Sequence, residues 1–244
     1  MKLIFWRKLS DEDAYVAFCH KNAAYLRGPL HHGIRVDEAE IAEVEAKIAQ
    51  MLSDGPAALT NAETYEVGRL QARQRQLSAK LQKQHASHSF LSEASFRERF
   101  RVIQKIPRVA KCSFRMTRKS EAILEINTEP LYGKSARGVW HRVGRITITI
   151  DVRDLSSGNI RFHNHDHRWK GRHAPTQNGG DGTVSCYGTA YGVLDKALSG
   201  FDHPTAIKTL VRFAECAGQC NEIANWPEVA VCDVPEWYII TFGA

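Results

Sequence analysis

The spacing of apolar residues divides the chain near residue 110 into a helical half and a strand-like half. From Val36 to Leu52, Ile41, Val44, Ile48 and Met51 recur at three- and four-residue intervals among Glu and Lys, which predicts an amphipathic helix with a narrow seam. Ser53-Asp54-Gly55-Pro56 ends it. Thr60 and Glu63 have capping-box spacing and open a second helix, with Val67, Leu70, Leu77 and Leu81 on one stripe. Two helices on so short a connection are expected to pack antiparallel. The polar surplus at Gln71, Arg73, Gln74, Arg75 and Gln76 predicts a projecting coiled coil rather than a core bundle. Leu91, Phe96, Phe100 and Ile103 predict a further helix, stopped at Ile106-Pro107.

Beyond Val109 the period changes to two. Lys111 to Thr117, Ala122 to Thr128, Val143 to Val152 and Asn159 to His163 are short runs rich in β-branched residues. Arg118-Lys119-Ser120-Glu121 and Leu155-Ser156-Ser157-Gly158 separate successive runs as turns, so a meander is expected. Arg145 to Asp151 alternates cleanly, which buries one face and leaves the other polar. Helices over Thr189 to Leu198 and Pro204 to Ala217, the second with Ile207, Leu210, Val211 and Ala214 at helical spacing, supply the cover. The expected class is α+β, an antiparallel β-meander covered by helices, with an N-terminal helical hairpin. The expected organisation is a helical or irregular segment over 1–35, an antiparallel coiled-coil hairpin over 36–90 and an α+β domain over 91–244.

Composition narrows the setting. With 244 residues and 43% hydrophobic content the chain is long enough for one substantial core plus an accessory element. No apolar run is long enough for a signal peptide or a membrane span, so a cytoplasmic protein with no membrane partner is expected. Six unevenly spaced cysteines then read as reduced thiols. Cys216 and Cys220 are close enough for a zinc site, but no second close pair exists, and a helix end with a glycine is the commoner account of such a pair. The net charge of +6 is concentrated in Arg97, Arg99, Arg101, Lys105, Arg108 and Lys111 against Glu98. Such a stripe suits nucleic acid or an acidic protein, although a solvated helix face is the commoner meaning.

The tract from His163 to Gly188 carries the chemistry. It follows a strand, holds the turn sequence Asn178-Gly179-Gly180-Asp181-Gly182, and places Cys186 at its end, better sited for reaction than for core filling. His163, His165 and His167 alternate, so an extended backbone would point all three to one face, where they could converge on a metal and support a metal-dependent hydrolase. The plainer account of them is a polar strand end beside a surface loop. No cofactor is implied.

The order of helix, meander, histidine-containing flap, Gly-rich turn to a cysteine and C-terminal helices resembles that of ubiquitin-conjugating enzymes. The segments Ile160-Arg161-Phe162-His163, His173-Ala174-Pro175 and Gly182-Thr183-Val184-Ser185-Cys186 look like that family's strand, its His-Pro-Asn box and its active-site turn. The likeness covers about residues 95 to 227. Gly188, Trp226-Pro227 and the hairpin fit bacterial and phage relatives that carry an N-terminal coiled coil. The resemblance implies a ubiquitin-like modifier held as a thioester on Cys186, with an activating enzyme as partner. His173, Asn178 and Asp181 are then the candidate helpers of the thiol.

Departures from the family pattern are equally specific. Thr176 stands beyond Pro175 where the family has its oxyanion-supporting Asn, one residue is inserted before Cys186, and Tyr187 and Tyr191 replace the usual Trp. These differences favour a second expectation, a non-catalytic scaffold of the same fold that binds protein partners through residues 36–84. In that case Cys186 fills space beneath the following helix.

Overall fold

The computed structural model describes residues 9–53, 55–56, 59–117, 121–135, 137–153, 156, 160–166, 187, 190–216, 228–236 and 238–239. The chain forms two compact units, one from residues 1–19 with 96–244 and one from residues 20–95.

The second unit is built from α2 (Ala24–Met51) and α3 (Asn61–Phe90), which follow α1 (Asp11–Asn22). Thr60 caps α3 as its spacing requires: its hydroxyl accepts the Glu63 N–H at 3.3 Å and the Glu63 carboxylate accepts the Thr60 N–H at 2.8 Å. Val67, Leu70 and Leu77 of α3 are buried, as are Ile34 and Val44 of α2. Lys80 binds Asp37 and Gln74 binds Glu45, so these contacts run in opposite sequence order on the two helices. α2 begins twelve residues before the predicted start at Val36, with Pro29 inside it. Gly28-Pro29 reads locally as a breaker, yet the helix runs through it to the buried Ile34 and to Asp37, which is held by Lys80.

The first unit is α+β. α4 (Glu93–Gln104) precedes β1 (Val109–Met116), β2 (Ala122–Thr128), β3 (Leu131–Lys134), β4 (Trp140–Gly144), β5 (Ile146–Asp151) and β6 (Ile160–Asn164); α5 (Tyr191–Ser199) and α6 (His203–Cys216) follow. The main sheet is antiparallel in the order β1-β2-β5-β6. Strict alternation puts Cys112, Phe114, Leu124, Ile126, Ile148, Ile150, Ile160 and Phe162 on one buried face. Tyr15 and Phe18 of α1 meet Phe114, and Phe213 of α6 meets Phe162, so helices cover that face. The opposite face carries Lys111, Asn127, Thr147 and His163 in one cross-strand row and Ser113, Glu125, Thr149 and Arg161 in the next.

The predicted strand from Val143 to Val152 is two strands. β3 and β4 form a separate two-stranded sheet, with an isolated antiparallel bridge from His141 to Glu228, and the break before β5 falls at Gly144, which has φ of +100°. A side chain there would be strained by the backbone and would put its Cβ 2.9 Å from that of Asp166. The alternation of residues 145–151 is genuine, but it says nothing about where pairing partners change.

Around β4, Trp140, Tyr132, Val229, Val234 and Tyr238 form a small apolar cluster. Tyr238 is fully buried and donates its hydroxyl proton to Glu215 at 3.0 Å.

Candidate functional site

The tract that carries the candidate chemistry is rooted where β6 ends. Asn164 is fully buried; its amide donates to the Val143 carbonyl at 2.8 Å, and its Oδ1 accepts the Asp166 N–H at 2.9 Å. Asp166 accepts the Arg145 backbone N–H at 3.1 Å and its guanidinium at 2.8 Å, and Arg142 lies 3.5 Å away. Hydrogen bonds from Arg145 hold the Asp166 carboxyl below the usual carboxylate range. The Asn164-to-Asp166 corner therefore clamps the root of the tract onto the β4–β5 turn, and Gly144 makes room for it.

On the exposed face beside this root, the His163 and His165 rings lie edge to face with centroids 4.7 Å apart. His165 continues the β5–β6 ladder, its N–H donating to the Arg145 carbonyl at 2.9 Å. Its Nε2 is 2.7 Å from the Thr147 hydroxyl, which donates to Asn127 at 2.6 Å. No third His, Cys, Asp or Glu joins them to form a metal-binding group among the described residues. His167, Cys186, His173, Asn178 and Asp181 all lie outside the described residues, as do Cys220, Trp169, Trp226 and Trp237.

Tyr187, the residue after Cys186, is described. It is buried, with its ring 5.3 Å from Phe213 of α6, and Phe213 also meets Phe162 of β6. Burial pushes the Tyr187 phenol well above its ordinary range, so its hydroxyl stays protonated. The chain is thus anchored between sheet and helix one residue beyond the candidate thiol.

Thiols at three other positions are described. Cys19 and Cys112 are buried, and desolvation pushes each up to about 12, where thiolate is negligible at neutral pH. Cys232 is exposed.

The basic stripe breaks up on folding. Arg97 binds Glu12 and Asp13, and Arg101 also binds Glu12. Arg99 is buried, donating to the Phe201 carbonyl at 2.9 Å and lying 4.8 Å from the Phe96 ring centroid. Arg108 pairs with buried Glu215 beside the Tyr238 ring and adopts a φ of +73°. Lys105 and Lys111 are exposed, and Arg97 and Arg101 stay partly exposed within their ion pairs. A linear charge run had no means of showing that its partners sit some 85 to 110 residues away.

Two buried polar groups gave no sequence signal. His203 is fully buried at the start of α6, with Nδ1 2.6 Å from the Tyr15 hydroxyl and no hydrogen-bond partner for Nε2 among the described residues. Burial, then repulsion from Arg99, pushes its pKa down to about 3, so the ring is neutral. Burial pushes the Glu215 carboxyl up against the opposing pull of Arg108.

No helix among the described residues is long and apolar enough to cross a membrane. No protein-family model, curated protein or solved structure matches the chain.

Proposed function

We propose that the chain is a ubiquitin-conjugating-type protein that carries a ubiquitin-like modifier as a thioester on Cys186. The observation that supports this most is positional. A four-stranded antiparallel sheet leads from β6 into a tract ending at Cys186, and the next residue, Tyr187, is buried against α6. A carrier thiol needs such support on its C-terminal side while remaining accessible itself.

In the proposed step, the Cys186 thiolate attacks the activated C-terminal carbonyl of the modifier and expels the activating enzyme's thiolate, forming a thioester. A substrate amine then displaces Cys186 to form an amide, releasing a proton to His173 or Asp181. Asn178 is the candidate donor to the oxyanion, since Thr176 occupies the position of the family's Asn.

Charging with an activated ubiquitin-like donor tests the reading. Intact mass should show a thiol-labile adduct on wild type and none of it on Cys186→Ser. Absence of any adduct with active donor would favour the scaffold reading, in which residues 36–84 act as a protein-binding coiled coil. The highly exposed Tyr65 on α3 is the observation on that side.

A further inference from the structure

The exposed row on β5 and β6 holds a chemical asymmetry that sheet formation does not require. Thr147 pairs directly across from His163, so their side chains share a face, and His165 follows on the same face one pleat later. The Thr147 hydroxyl has one proton, and that proton goes to the Asn127 Oδ1 at 2.6 Å. Towards His165 the hydroxyl can then only accept. The 2.7 Å contact therefore requires the hydrogen of His165 to sit on Nε2, which leaves Nδ1 with the lone pair in the neutral ring.

An exposed imidazole whose remote N–H is fixed by a two-residue relay is built as metal-ligating histidines usually are: the outer partner sets tautomer and ring angle so that the other nitrogen is presented. His163 stands beside it, its ring 4.7 Å away and bound to no other described side chain. Two imidazoles at i and i+2 on a strand can chelate one ion, since metal–nitrogen bonds of about 2 Å allow neighbouring rings to share it after small side-chain rotations. His31 and His88 form the other close histidine pair, with centroids 6.3 Å apart, and no described hydrogen bond fixes either ring.

We propose that His163 and His165 form a two-imidazole site for a divalent transition-metal ion on the exposed face of the sheet, with water completing the coordination and Thr147 and Asn127 as positioning residues. Imidazole donors without a carboxylate favour zinc, nickel or copper over magnesium or calcium. The site is independent of whether Cys186 carries a modifier.

Calorimetric titration of the full chain with Ni²⁺, in parallel with histidine ring NMR, tests it. Before metal is added, long-range ¹⁵N spectra should show His165 as the Nε2–H tautomer. On titration the His163 and His165 ring signals should broaden first, at one saturable site. His163→Ala and His165→Ala should each weaken that site by at least about tenfold. Thr147→Val, which keeps both imidazoles, should weaken it ~10- to 100-fold while leaving any His31/His88 background unchanged. An Nδ1–H tautomer, wild-type affinity in Thr147→Val, or a site that survives both histidine substitutions would overturn the proposal.

Discussion

Acidification should destabilise the first unit through one buried ring. His203 is fully buried, is contacted by the Tyr15 hydroxyl, and lies where protonation would add a second cation near Arg99. Its folded-state pKa of about 3 lies far below the unfolded value of about 6.5. Between those limits the unfolded chain binds a proton that the folded chain refuses. The contribution of His203 is therefore fully present above pH 6.5 and is lost as pH falls towards 3, at a limiting slope of ~1.4 kcal/mol per pH unit. From pH 7.5 to 5.0 the loss is about 2 kcal/mol, a large share of an ordinary domain's stability. Urea unfolding at half-unit pH intervals measures it, with His203→Asn as the non-titrating control that retains a polar atom near Nδ1. The control should be less stable at pH 7.5 and should lack this slope, so the difference between the two proteins shrinks by about 2 kcal/mol at pH 5.0. Parallel pH profiles would refute the reasoning.

Gly144→Ala should cost ~1–3 kcal/mol in urea unfolding, because a Cβ meets both an unfavourable φ and the Asp166 side chain. Glu215→Ala should cost ~3–5 kcal/mol by removing the buried carboxylate that pairs with the largely covered Arg108; the double change Arg108→Met with Glu215→Leu should recover part of that loss in the same assay. Thr60→Ala removes the capping box of α3 and should lower stability of the helical unit by about 1 kcal/mol, read from far-UV circular dichroism during denaturation.

Local patterns made the elements legible and left their connections obscure. Alternation from Ile146 to Ile150, the helical spacing of Ile207 to Ala214 and the Thr60–Glu63 pair each follow from interactions within a few residues, and each appears where its pattern requires. The separation of β4 from β5 was hidden because a glycine with positive φ looks like any other glycine in sequence. The stripe of arginines was misleading for the opposite reason. Charge is visible in a sequence, but ion pairing to Glu12 or Glu215 depends on tertiary contacts. Of the histidine cluster, the shared face of His163 and His165 follows from strand period, whereas the Thr147–Asn127 relay needed the strand order and register.

The central claim is that Cys186 is a nucleophile rather than a filler, and site-resolved alkylation kinetics of the six thiols test it with the chain alone. The account predicts that Cys186 reacts fastest at pH 7, ahead of exposed Cys232, while Cys19 and Cys112 stay protected until the protein unfolds. Reaction of Cys186 as slow as that of Cys19 and Cys112 would contradict it.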